Sequence, residues 1–305
     1  MNGRAPRVDR PLVFASGVYR FDILVSVLGA WAGRILSPRA AAWFDRHIGD
    51  PLGYWGHVRR ALMERGFVLY ETSVSFGAGV RRRARDLRDE LMGILARGGH
   101  AQANLIAHSM GGVDARHMIV EEGMADAVAS LVTFGGPHLG TSYADWGLAQ
   151  RSRLDAALGQ VRRMGLDLTG YRDLTTERCR KFNARAEATE ATNGVTYITV
   201  AGAQERRDRV FPPLRRAWNV LQEREGINDG LVSVASQRWT DRLRGPGAEK
   251  RVEQIAFPVP TDHLNQIAWW HPWVDPAQPR RAFEQTTRDV YVRIAEDLRD
   301  RGLYG

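Results

Sequence analysis

The chain has 305 residues, of which 44% are hydrophobic and 26% charged, a balance that excludes general disorder and suits one substantial buried core. Its formal net charge of +8 would attract polyanions at long range, but acids interleave with the arginines and no nucleic-acid motif accompanies them, so no nucleic-acid partner is expected. The single cysteine, Cys179, excludes an intrachain disulfide and a cysteine-built zinc cluster.

The first fourteen residues, "MNGRAPRVDRPLVF", carry basic groups without an apolar core, so no secretory signal peptide is expected. The cytoplasm is the expected location, with secretion the alternative if a leader has been removed. "PLVFA" (11–15) reads as the first strand. "FDILVSVLGAWAGRIL" (21–36) is the most apolar segment, but Asp22 and Arg34 bound it too closely for the roughly 20 apolar residues of a bilayer span. A buried or interface-seeking helix is expected there.

A helix over Tyr54–Arg65 precedes a strand at 67–74, "FVLYETSV". "GVRRRARDLRDEL" opens a helix over Val80–Arg97 and sets Arg82 against Asp86 and Arg85 against Asp89, i,i+4 pairs on a solvated face. Further strands are expected at 103–109, 129–137, 195–203 and 252–259, with helices over Met110–Glu122 and, amphipathically, Arg281–Arg301. Short apolar runs alternating with helical segments specify an α/β fold, a mostly parallel central sheet with helices on both faces. We expect one domain over 1–305, with insertions at about 18–50 and 141–193 forming a cap or lid on the rim where the strands end.

"ANLIAHSMGGVDARH" reads strand, sharp turn, helix, with Ser109 at the apex and the small residues Ala107 and Gly111 two positions to either side. That is the pattern of a nucleophile elbow, G-x-S-x-G, with alanine for the first glycine. A plain helix N-cap is the competing reading of the serine. A serine nucleophile needs a base oriented by a carboxylate, in the chain order serine, acid, histidine. Of the later histidines, His138 follows a strand directly and is expected to line the cleft. His271, in "WWHPW", suits aromatic packing. His263, in "PVPTDHLNQ", stands on a loop after the last strand, where a base belongs. Asp229, flanked by the turn formers Asn228 and Gly230, is the candidate acid; Asp262 adjoins the base and points away from it, and Asp208 reads as solvated. Backbone N–H groups of Met110 and of Val18, in "FASGVYRFD", are the candidate oxyanion donors.

With these pieces in order the chain resembles the bacterial triacylglycerol lipases of the α/β-hydrolase superfamily, the true-lipase group that includes the secreted pseudomonad enzymes. "PLVFASGVYRFD", "ANLIAHSMGGVDARH", "LVTFGGPHLGTS", "VTYITVAG", "NDGLVSVASQ" and "DHLNQ" carry the likeness. The resemblance implies Ser109 as nucleophile, Asp229 as orienting acid, His263 as general base, and Val18 and Met110 as oxyanion donors, with Phe21, His138 and Leu139 against the substrate. It implies a carboxylic-ester hydrolase, lipase or esterase, acting on medium- to long-chain acyl esters, with contact to a lipid interface and no bound cofactor. The chain departs from the family at four points. The family's His-Gly pair is Ser16-Gly17; the secreted members' cysteine pair is missing; the segment 141–193 is polar and arginine-rich; and Asn265 stands where the family has a calcium-binding aspartate, so a calcium site of that kind would lack a ligand. The same triad would serve an acyltransferase or thioesterase, and a non-catalytic member would be expected to lose a triad residue.

Overall fold

The computed structural model describes residues 10–17, 55–75, 78–150, 169–271 and 279–305. The expected apolar helix over Phe21–Leu36 lies outside these residues, as does 151–168 of the second insertion. Strands β1 (Leu12–Ala15), β2 (Leu69–Glu71), β3 (Ala103–His108), β4 (Val128–Phe134) and β5 (Thr196–Ala201) are followed by a hairpin, β6 (Arg242–Gly245) with β7 (Ala248–Arg251), and by β8 (Glu253–Ala256). The helices are α1 (Gly56–Met63), α2 (Val80–Gly98), α3 (Met110–Glu121), α4 (Ser142–Ala149), α5 (Thr169–Asp173), α6 (Thr176–Thr192), α7 (Arg215–Arg224), α8 (Val234–Arg238) and α9 (Arg280–Asp300).

Six strands form one parallel sheet in the order β2-β1-β3-β4-β5-β8. Successive side chains on a strand point to opposite faces, so each apolar run feeds two cores. Leu12, Phe14, Ile106, Val132, Phe134 and Ile198 pack with Val58 and Leu62 of α1 and Val290, Tyr291, Ile294 and Leu298 of α9. Val13, Ala15, Leu105, Ala107, Leu131 and Tyr197 pack on the other face with Leu87, Leu91 and Ile94 of α2 and with Met118 and Ile119 of α3. Burial on both faces explains why these strands read as unbroken apolar runs and not as alternating ones.

On α2 the Arg82–Asp86 pair forms at 2.7 Å, whereas Asp89 is taken by Arg88 at 2.9 Å and Arg85 turns to the Arg81 carbonyl. The helix stops at Gly99, which takes the left-handed conformation at φ 65°. Of the segment expected as a cap over 141–193, the described residues 141–150 and 169–193 pack on the body of the fold. Its last part, α6, buries Cys179, Phe182 and Ala186 and packs beside α3 and the β6–β7 hairpin. It is the crossover that a parallel β4-to-β5 connection requires. Among the described residues, no helix is long and apolar enough to cross a membrane.

Candidate active site

Strand β3 ends at His108 and α3 begins at Met110, so Ser109 alone makes the reversal, at φ 58° and ψ −133°. A non-glycine residue held at positive φ stores strain that the surroundings must impose. The Ser109 N–H donates to the Phe134 carbonyl at 2.9 Å, which pins the elbow to the end of β4. The serine side chain makes no capping bond to α3, so the N-cap reading fails. Ser109 is half-buried between buried neighbours, His108 and Met110. A Cβ on Gly111 would lie 2.5 Å from the Ala15 carbonyl oxygen and 3.0 Å from that of Ser16, so α3 can approach β1 only with glycine there. Ala107 lies within β3 with its methyl buried in the core, which is why alanine serves at the first small position.

Asp229 follows β5 and His263 follows β8. Because β3, β5 and β8 run parallel, their following loops gather at one edge of the sheet, the edge at which Ser109 sits. His263 Nδ1 lies 2.7 Å from Asp229 Oδ2, and both side chains are buried. The His263 N–H also donates to the Asp229 carbonyl at 2.8 Å, so backbone and ring are located by the same residue. Asp229 Oδ1 accepts the N–H groups of Leu231 and Val232 at 2.9 and 2.8 Å in a turn closed by Asn228 Oδ1 and by Gly230 at φ 100°. With the carboxylate fixed as acceptor, Nδ1 carries the proton and Nε2 is left with its lone pair, the form a general base needs.

Two neighbours that the sequence reading passed over complete this arrangement. Gln266 Nε2 donates to Asp229 Oδ2 at 2.9 Å, the oxygen that His263 uses. His108 Nε2 donates to the His263 carbonyl at 3.0 Å, with its ring 4.5 Å from that of His263. Burial first, and then the neighbouring His263, hold the His108 pKa well below the ordinary histidine value. It is a neutral donor. His108 adjoins Ser109 in "AHS" and Gln266 lies three residues after His263 in "DHLNQ", the signal that marks them.

Ser16, at the end of β1, accepts a hydrogen bond from Trp55 Nε1 at 3.0 Å. Arg83 of α2 is buried; its Nη2 donates to the Ser16 and Gly17 carbonyls at 3.3 and 3.4 Å, and its Nε donates to Asp114 Oδ2 at 2.8 Å. Asp114 belongs to α3, so one guanidinium joins the helix that follows Ser109 to the loop expected to supply an oxyanion donor. In "VRRRARDL" Arg83 looks like one solvated arginine among several. Its spacing of four from Leu87 and eight from Leu91 puts it on the apolar stripe, and that spacing was the available signal.

Val18 and Phe21 lie outside the described residues. Met110 opens α3, where first-turn N–H groups have no partner within the helix. Leu139 is 40% exposed and its N–H donates to Ser236 Oγ at 3.0 Å. His138 requires a correction, because it does not line a cleft. It is 1% exposed, accepts from Arg116 at Nδ1 and donates from Nε2 to Thr133 Oγ1 at 2.9 Å, and stacks on Trp239. Arg116 is in turn bidentate to Glu190 at 2.7 and 2.9 Å. The histidine is therefore packing for the layer behind α3, and burial lowers its pKa well below the ordinary value. His271 does pack on Phe211, but its Nε2 also lies 2.7 Å from Asp262 Oδ2. Cys179 is buried with its thiol pKa pushed up to about 12 by burial, a poor nucleophile.

Asn265 does not fit a calcium site. Its Oδ1 accepts the Asp262 N–H at 3.0 Å and its Nδ2 donates to the Trp269 carbonyl at 3.0 Å, so one side-chain oxygen is already engaged and an N–H stands where a cation would need a second oxygen. Among the described residues, no three His, Cys, Asp or Glu side chains gather to hold a metal.

No family model matches the chain. It is 27% identical to triacylglycerol lipase 2 of Saccharomyces cerevisiae over 322 residues, spanning 96% of this chain and 92% of the yeast protein. It is 29% identical to the triacylglycerol lipase of Vibrio cholerae, over 70% of this chain and 76% of that one. The crystal structure of a metagenomic carboxyl esterase superposes with a TM-score of 0.61 at 16% identity, covering 96% of this chain and 80% of that chain, which establishes a common fold. The chain thus has the α/β-hydrolase fold, and the triacylglycerol lipases that it is similar to over most of its length support a carboxylic-ester hydrolase.

Proposed function

We propose that the protein is a lipase that hydrolyses medium- to long-chain acyl esters through an acyl-enzyme on Ser109. The observation that carries the assignment of residues is the buried His263–Asp229 pair at 2.7 Å on the sheet edge that carries the strained Ser109. In this reading His263 Nε2 takes the Ser109 proton as the hydroxyl attacks the acyl carbonyl. The oxyanion that forms is met by the Met110 and Val18 N–H groups. His263 then returns the proton to the leaving alcohol, and water attacks the acyl-enzyme by the same route in reverse. Arg83 supports this geometry: a trans peptide sends its C=O and N–H in opposite directions, so holding the Gly17 carbonyl from behind is a means of aiming the N–H that follows. Leu139 lines the acyl site from one side, and the apolar segment from Phe21 to Leu36 supplies the chain pocket and part of the lid. The reaction uses no cofactor, and the enzyme works at a lipid interface.

The test is hydrolysis of p-nitrophenyl esters from short to long acyl chains and of emulsified triglyceride, by wild type and Ser109→Ala. We expect activity on medium and long chains that disappears in the variant, and a selective loss on long chains when Ile23, Leu24 and Val27 are made polar. Equal inactivity of both proteins on every ester would overturn the reading and favour acyl transfer to an acceptor other than water.

A further inference from the structure

Taking His263 as the general base, we propose that the loop carrying it is locked by donors from its own chain, with the Asn265 amide and the Asp262 carboxylate doing what a bridging divalent cation would do, so that the enzyme holds its base without a metal. A bridging cation works by drawing oxygens from separate segments to one point. Here the polarity is reversed: one buried carboxylate draws in hydrogen-bond donors.

Asp262 Oδ1 accepts the N–H groups of Leu264 and Asn265, both at 3.0 Å, and Oδ2 accepts the Phe211 N–H at 2.8 Å and faces His271 Nε2 at 2.7 Å. The carboxylate has no solvent exposure, and four donors occupy its two oxygens. Asn265 Oδ1 returns a bond to the Asp262 N–H at 3.0 Å, the reciprocal pattern of a capping box closed around His263 and Leu264. Asn265 Nδ2 then reaches the Trp269 carbonyl at 3.0 Å. Three segments are thus tied to one point: the stretch before α7 at Phe211, the His263 loop, and residues 269–271. His263 lies inside the closed box, with its N–H on the Asp229 carbonyl and its own carbonyl under His108. Anchors at Asp262 and Asn265 leave the backbone of the base no independent freedom, which makes them positioning residues.

Melting in EGTA and in millimolar calcium chloride tests this on wild type, Ser109→Ala and Asn265→Asp. Wild type and Ser109→Ala are expected to melt alike in both buffers, within about 1 °C, because neither binds the ion. Asn265→Asp is nearly isosteric but sets a carboxylate oxygen against the Trp269 carbonyl, a repulsion that calcium can bridge. Its melting temperature is expected to fall by about 5 °C in EGTA and to recover in calcium. If Asn265→Asp folds only with calcium, that too is support. If it folds in neither buffer, Asn265→Ala decides, by a fall in kcat of about tenfold at unchanged KM that calcium does not restore. A wild-type melting temperature that rises by several degrees with calcium would overturn the proposal. So would an Asn265→Asp protein as stable as wild type in EGTA, or an Asn265→Ala enzyme with full kcat. Melting does not depend on ester turnover, so failure of the lipase reading would appear separately, in the ester-hydrolysis assay of wild type against Ser109→Ala.

Discussion

Replacing Gly111 with alanine should damage catalysis more than stability. The added Cβ would stand 2.5 Å from the Ala15 carbonyl oxygen and 3.0 Å from both the Ala15 carbonyl carbon and the Ser16 oxygen. All three are backbone atoms, and Ala15 is paired in the ladder with Ala107 of β3, so none can swing aside as a side chain would. To reach even a 3.0 Å contact, α3 and β1 must separate by at least about 0.5 Å. Ser109 moves with α3, and Ser16 and Gly17 move with β1, so the separation opens between the serine and the stem of the loop expected to supply a donor. Overpacking costs about 1–3 kcal/mol, partly offset by a helix-propensity gain of about 1 kcal/mol. A misplacement of about 1 Å at a reacting centre lowers rates about a hundredfold, so half of that should cost about tenfold or more in kcat. Esterase kinetics and urea unfolding of the same variant separate the two effects. Gly112→Ala is the control: its Cβ would meet the Thr133 methyl at 3.0 Å, a side-chain atom and not the backbone of β1, so stability should drop slightly with kcat retained. A Gly111→Ala enzyme with wild-type kcat, or an equal kcat loss in Gly112→Ala, would refute the argument.

Asp229→Asn should lower kcat about 10⁴-fold by removing the charge that fixes the His263 tautomer, and Gln266→Ala about tenfold, since it takes one of several donors from the same carboxylate. Arg83→Met should destabilise by about 3–5 kcal/mol because it strands the buried Asp114 carboxylate. Arg83→Met combined with Asp114→Leu should recover stability in urea but not kcat, as the Ser16 and Gly17 carbonyls stay untethered; recovery of kcat in the double variant would count against Arg83 as a positioning residue. Burial holds His108 and His138 well below their ordinary pKa of 6.5, so beneath that pH the unfolded chain binds more protons than the folded one. Stability should be full above pH 6.5 and fall on acidification by up to about 1.4 kcal/mol per pH unit for each histidine. Urea unfolding between pH 5 and 7.5 should show a shallower slope for His138→Gln, and an unchanged slope would remove His138 from the account.

The local features of the chain were legible in its sequence because they depend on neighbours a few residues apart. The apolar runs at 11–15, 103–109, 129–137 and 195–203 contain the strands β1, β3 and β5 and, but for its first residue, β4; the elbow at Ser109 announced itself by small residues at fixed offsets. Chain order and turn chemistry singled out Asp229 and His263, which the fold brings within 2.7 Å of each other. Tertiary structure decided what depends on residues far apart. It buried Arg83 under the Ser16 and Gly17 carbonyls, 67 and 66 residues away, and drew His138 into the Arg116 cluster instead of the cleft. It paired His271 with Asp262, leaving Asp229 as the partner of His263. A charged side chain looks solvated until a partner from another element meets it, because its burial is tolerable only when that partner is in place. Periodicity shows which face of a helix turns inward, and only the packed fold shows what waits there.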